Sequence, residues 1–149
     1  MKKELILAEI YRQNEQWNNK DGFFSDLENI LLKRKLFEKV LPYLNKRQII
    51  SIVGLRRVGK TILLKQLMKK VLETTNEKNI CFITFDEAIF FGKTTLADYL
   101  NAYLMEIAPP DGKIYFFLDE IQYASKWQHI IKRYYDTNSR VKFIISGSS

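Results

Sequence analysis

The feature that most constrains this chain is Gly54-Leu55-Arg56-Arg57-Val58-Gly59-Lys60-Thr61, which satisfies G-x-x-x-x-G-K-[ST] at every fixed position. The pattern carries weight only between a strand and a helix, and its flanks supply both. Gln48-Ile49-Ile50-Ser51-Ile52-Val53 is a β-branched run of strand length. The stretch Ile62 to Leu72 has apolar residues at 63, 64, 67, 68, 71 and 72, one face of a helix. Gly54 and Gly59 let the backbone curl so that successive N–H groups turn inward as an anion nest. A helix opening near Lys60 adds further N–H groups and the positive end of its dipole. Lys60 then reaches the β- and γ-phosphates as a point charge, and the Thr61 hydroxyl is a ligand for Mg²⁺. The loop implies binding of a nucleoside triphosphate through Gly54, Leu55, Arg56, Arg57, Val58, Gly59, Lys60, Thr61 and Ile62.

Composition narrows the classes. At 149 residues, with 46% hydrophobic and 28% charged residues, the chain is long enough for one domain with a real core. No apolar run approaches the ~20 residues of a membrane span, and Met1-Lys2-Lys3-Glu4 leads into a charged helical segment rather than a signal peptide. The single cysteine, Cys81, sits in an apolar run and reads as a buried thiol. Neither a metal-ligand cluster nor a disulfide framework is present, and the reading is cytoplasmic. Net charge is +7, unevenly placed: between Lys33 and Lys70 twelve basic residues face one acid, Glu38, a local +11 that leaves −4 for the rest. A triphosphate accounts for one or two of those cations. The remainder are a solvated helical face or a contact for nucleic acid or an acidic partner. Aromatic residues do not interleave with them as single-strand binding requires.

Along the chain, Leu5, Ile6, Ala8, Ile10 and Tyr11 predict an amphipathic helix from residue 2 to about Trp17, broken by Asn18-Asn19-Lys20-Asp21-Gly22. Ser25-Asp26-Leu27-Glu28 reads as a capping box that opens a helix at Asp26. Its pattern carries Leu27, Ile30 and Leu31, resumes with Leu36, Phe37, Val40 and Leu41, and is disturbed by Pro42. Residues 1–45 are therefore a helical preface packed beside the first strand, and 46–149 the phosphate-loop core. Ile80 to Phe85 form the second strand and deliver Asp86 and Glu87 to its C-terminal end. Thr94 or Thr95 caps a helix that Pro109-Pro110 stops, and Asp111-Gly112 turns the chain. A third strand runs into Asp119-Glu120, Ser125-Lys126-Trp127-Gln128 reads as a second capping box, and Arg140 to Ile145 is a fourth strand leading into Ser146-Gly147-Ser148-Ser149. The fold class is α/β, a parallel sheet flanked by helices with ligand at the C-terminal strand ends.

Asp119, ending an apolar strand downstream of the loop, stands where a carboxylate holds the Mg²⁺ shell. Glu120 follows it directly and is placed to polarise an attacking water as general base. One whole strand, 80–85, lies between the loop strand and the Asp119 strand. That arrangement resembles the additional-strand, catalytic-glutamate division of phosphate-loop proteins more than it does GTPases or nucleoside kinases.

The loop, together with Phe116-Phe117-Leu118-Asp119-Glu120-Ile121-Gln122, Trp127 and Ile144-Ile145-Ser146-Gly147-Ser148-Ser149, resembles AAA-type ATPases of archaea and bacteria with a G-x-R-R-x-G-K-T Walker A loop and a D-E-I-Q Walker B segment. The resemblance covers roughly 34–149. It implies ATP and Mg²⁺ as cofactors, hydrolysis to ADP and phosphate, a possible homo-oligomer, and a polar sensor at the end of the fourth strand, for which Ser146 is the best match and Ser148 the second. Lys60 and the loop amides would stabilise phosphate charge, Thr61 and Asp119 hold the metal, and Glu120 orient water. It also implies strand order 5-1-4-3-2, with a fifth strand, a helical lid and usually a C-terminal winged-helix and nuclease-like region beyond Ser149. The expectation is an N-terminal fragment truncated after its fourth strand, whose missing partner is the rest of the same protein. Strand 48–53 is expected to be nearly continuously apolar, covered on both faces, with one edge unpaired. Arg56 and Arg57 have no role that the nest requires. Two other classes stay open: a nucleotide-dependent switch with little turnover, and a small-molecule kinase in which Asp86 and Glu87 bind an acceptor hydroxyl.

Overall fold

A computed structural model describes residues 2–25, 27, 34–54, 59–86 and 95–148. The strands are β1 (Ile50–Gly54), β2 (Ile80–Thr84), β3 (Ile114–Asp119) and β4 (Val141–Ser148), and they form one parallel sheet in the order β1-β4-β3-β2. The helices are α1 (Lys2–Gln13), α2 (Lys20–Phe24), α3 (Arg34–Val40), α4 (Lys60–Leu72), α5 (Leu96–Glu106) and α6 (Trp127–Thr137). The α/β reading and the order of these four strands hold.

Side chains alternate across the strands, so the sheet has two apolar layers. One face sends Cys81, Ile83, Phe116, Leu118, Phe143 and Ile145 against α1, α5 and α6. The other sends Ile50, Ile52, Ile80, Phe82, Phe117 and Ile144 against Leu63, Leu64, Leu67, Met68 and Val71 of α4. The helical stripe read from the sequence is thus the buried face of α4. Cys81 is fully buried, and burial pushes its thiol up from the ordinary range.

Several expectations change. The first strand begins at Ile50 rather than 48, and it is not apolar throughout: Ile50 and Ile52 are buried, but Ser51 is exposed and Val53 is 70% exposed. Among the described residues β1 pairs with β4 alone, and no helix covers Ser51 and Val53, so alternation replaces a continuous run. The first helix stops at Gln13, before Trp17, because Asn14 leaves the helix to bond a strand. The Asn18–Gly22 break contains the start of α2, where the Asn19 side chain accepts from the Gly22 N–H. Ser25 has helical dihedrals at the end of α2 and donates to the Gly22 carbonyl; Asp26 and Glu28 of its supposed box lie outside the described residues. The second box fails: α6 is preceded by Lys126 at φ 58, with no side-chain cap bond. A left-handed residue between Ser125 and the helix takes Ser125 out of capping position. Thr95 does form a box, with Asp98 in place of Glu or Gln at the third position.

The preface divides between the two ends of the sheet. The α3 segment and the single turn Leu41–Asn45 that follows it place Leu44, Val40 and Leu41 by α4 and β1. Helix α1 lies at the opposite edge, on β2 and α5, with Ile6 and Ile10 buried. There β2 is an edge strand whose outward backbone groups are met by carboxamides. Asn14 accepts from the Phe82 N–H at 2.6 Å and donates to the Phe82 carbonyl at 2.8 Å, and Gln13 accepts from the Thr84 N–H at 2.6 Å. The Trp17 indole donates to the Glu77 and Ile80 carbonyls. These side chains stand in for a fifth strand on that side.

Candidate functional site

The register puts the chemistry-bearing residues on one rim. Gly54 is paired with Ser148, Ile52 with Ser146 and Thr84 with Asp119, so β1, β4, β3 and β2 end together. Gly59 takes φ 82 at the head of α4, a left-handed turn that a residue with a Cβ resists. Leu63 N–H bonds back to the Gly59 carbonyl, and the amides ahead of it, those of Thr61 and Ile62 among them, point out of the helix's positive end. Residues Leu55, Arg56, Arg57 and Val58, and likewise Glu87, lie outside the described residues.

Around that helix end two hydrogen-bonded groups form. In the first, Asp119 is buried and both its oxygens are engaged: Thr61 Oγ1 donates to Oδ2 at 2.9 Å and Ser146 Oγ donates to Oδ1 at 2.7 Å. Ser146 also accepts from the Glu120 N–H at 3.3 Å. In the second, Lys60, only 6% exposed, donates to the Gly54 carbonyl and to Ser148 Oγ, each at 2.9 Å, and its Nζ lies 4.0 Å from Glu120 Oε1. The Ser148 hydroxyl in turn donates to Glu120 Oε1 at 3.4 Å. Glu120 itself sits at φ 55, a left-handed conformation that non-glycine residues adopt at a cost of order 1–3 kcal/mol and that tends to collect at functional positions.

The two serines therefore separate. Ser146 is fully buried against Asp119, whereas Ser148 touches both Lys60 and Glu120. Gln122, quoted in the sequence only as part of a motif, belongs to the site: it donates to Glu120 Oε2 at 2.9 Å and accepts from the Ser148 N–H at 3.2 Å. Nothing in residue type alone separates it from a surface glutamine. Asp86 is exposed at the end of β2 and lines a cavity of about 430 Å³ beside Thr61 and Asp119, with Arg12, Gln13, Phe23 and Lys65 on its walls.

Oxygen donors from Thr61 and Asp119, already within hydrogen-bond reach of each other, suit a small hard cation. Among the described residues no group of three or more His, Cys, Asp or Glu could hold a metal by itself. A cation here would have to draw further oxygens from phosphate and water, which is how Mg²⁺ is commonly held.

Residues 46–149 match the AAA domain family. The chain belongs to that family. As an AAA domain it is an ATPase-like nucleotide-binding module built on a parallel sheet. The chain is 35% identical over 118 residues to the uncharacterized protein MJ1637 of Methanocaldococcus jannaschii, covering 76% of this chain and 24% of that protein. It is 25% identical over 125 residues to an uncharacterized protein of Haemophilus influenzae, covering 80% of this chain and 30% of that one. The chain thus spans about a quarter to a third of the length of these relatives. Among the described residues no helix is long and apolar enough to cross a membrane.

Proposed function

We propose that this AAA domain binds ATP with Mg²⁺ and hydrolyses it to ADP and phosphate. The observation that carries the reading is the meeting of Lys60, Thr61, Asp119 and Glu120 at the N-terminus of α4, from two segments nearly sixty residues apart. In this reading the α4 amides and Lys60 receive the phosphates, and Thr61 and Asp119 hold Mg²⁺. The cation would supply charge neutralisation on the phosphates. Glu120 draws a proton from water and orients it. Ser146 fixes the Asp119 carboxylate, and Ser148, the hydroxyl that reaches Lys60, reads the phosphate end. Residues 46–149 are the nucleotide-binding core and residues 1–45 its helical extension. ATP is the small-molecule partner.

The test is phosphate release in the presence and absence of Mg²⁺, with Glu120→Gln beside the unaltered protein. The variant should hold ATP as tightly and lose turnover. Equal turnover in the two would sink the assignment of Glu120 as base, and ATP binding without turnover in the unaltered protein would leave the switch reading. The cavity lined by Asp86 supports a second reading, phosphoryl transfer to a small acceptor. Phosphate release with no acceptor added argues against it.

A further inference from the structure

We propose that Gln122 is a positioning residue that clamps the Glu120 carboxylate and ties it to the end of β4; this rests on the hydrolytic reading above. Glu120 begins a tight bend at φ 55, and the single turn Ile121–Tyr123 brings the side chain of residue 122 back onto that of residue 120. Gln122 Nε2 donates to Glu120 Oε2 at 2.9 Å, and Gln122 Oε1 accepts from the Ser148 N–H at 3.2 Å. A side-chain amide carries its donor and its acceptor on separate atoms, so Gln122 meets a carboxylate and an N–H at the same time. The opposite wall is Gly147: a Cβ there would stand 3.1 Å from Gln122 Oε1, so the missing side chain makes room for the amide.

The clamp leaves the two oxygens of Glu120 unequal. Oε2 is taken by Gln122, while Oε1 faces Ser148 and Lys60, the phosphate side of the site. A carboxylate free to rotate would spend much of its time in orientations that cannot direct water. Misplacement of about 1 Å costs on the order of 100-fold in rate. Because the second bond goes to the β4 backbone beside Ser148, a shift of that strand end on nucleotide binding would move Gln122 and Glu120 together.

The experiment compares the unaltered protein with Gln122→Leu, Glu120→Gln and the double variant. Gln122→Leu should lower kcat roughly 10- to 100-fold, with KM and ATP affinity within about threefold of the unaltered protein. If Gln122 acts through Glu120, the double variant should be no slower than Glu120→Gln alone. Losses that multiply in the double variant, or a Gln122→Leu protein that turns over normally, would overturn the inference while the hydrolytic reading stood. Absence of turnover in the unaltered protein would instead overturn that reading and the positioning role with it. The clamp itself is read without nucleotide by NMR of isotope-labelled protein. The side-chain amide resonances of Gln122 should move when Glu120 is replaced by Ala. Resonances that stay put overturn the clamp, whatever the protein does with ATP.

Discussion

Lys60 is held by its neighbours at the point where the proposed function needs a cation. Nearly buried, it spends its donors on the Gly54 carbonyl and Ser148 and lies near Glu120, so its charge is partly met before any phosphate arrives. Lys60→Ala should weaken ATP about 10- to 100-fold, the worth of hydrogen bonds to a charged group at ~1.5–3 kcal/mol. The fold should survive, because α4 is held by Leu63, Leu64, Leu67 and Met68 rather than by Lys60. Titration with a fluorescent ATP analogue, alongside a melting curve, checks both parts. Lys142 is the contrasting case. It is 1% exposed, donates to the Gln48 carbonyl, and has its pKa lowered to about 8 by burial and by the neighbouring Lys113 charge. Below pH 8 the amine is charged in both states and the cost of burying it is present in full. Between about pH 8 and its ordinary value of 10.5 the unfolded chain holds more protons than the folded one, so this group makes stability rise with pH. The gain should be of order 1–3 kcal/mol. Because the buried Cys81 thiol acts in the opposite sense, this contribution is read against the original: Lys142→Met should shift the difference between urea midpoints at pH 7 and pH 9.5 toward lower stability at pH 9.5.

At the scale of elements, the contact that organises the N-terminal segment is between α1 and the edge of β2. Asn14 supplies an acceptor and a donor to the Phe82 backbone and is itself wholly buried, so it completes a ladder no strand completes. Asn14→Leu would leave both Phe82 groups buried without partners, at ~1–3 kcal/mol each. The expected loss is about 3 kcal/mol, read from a denaturant midpoint, and the freed edge should promote aggregation. If the variant is as stable and as soluble as the original, the carboxamides are ornamental. Helix α1 also carries Glu9, buried and bonded to Arg12 and Gln13, so the helix end that meets β2 is fixed by its own side chains.

Among the described residues the two edges of the sheet are finished differently. β2 is closed by Asn14 and Gln13, whereas β1 has Val53 70% exposed and, among the described residues, no neighbour beyond it. An exposed apolar residue beside an open edge invites strand pairing between copies. The protein should therefore self-associate with rising concentration, and Val53→Lys should shift sedimentation toward the monomer while changing stability by no more than about 0.5 kcal/mol. A monomeric original at high concentration would show that the edge is not sticky. Four described residues of the basic segment have separate neighbours. Lys60 is in the site, Lys65 lies over Phe23, Lys70 pairs with Glu73, and Arg47 stacks on Tyr135.

The sequence by itself determined the parallel α/β class, the placement of Lys60, Thr61, Asp119 and Glu120 at strand and helix ends, and the buried face of α4. These rest on local periodicity and on a loop pattern whose second glycine, Gly59, takes a left-handed φ at the head of α4. Pro42 likewise marked a real change, from α3 to a tighter turn. Cap chemistry was legible only where backbone dihedrals agreed: Thr95 with Asp98 formed a box, while Ser125 lost its place to a left-handed Lys126. Tertiary structure alone decided which edge each half of the preface covers. Amphipathic periodicity tells a helix which side to bury but not against what. It alone separated Ser146 from Ser148, because adjacent same-face positions on a strand differ in partner only through the neighbouring strand's register. And it brought Gln122 to Glu120, two residues apart in sequence, through a positive φ and a glycine on the facing strand that no pattern of residue types encodes.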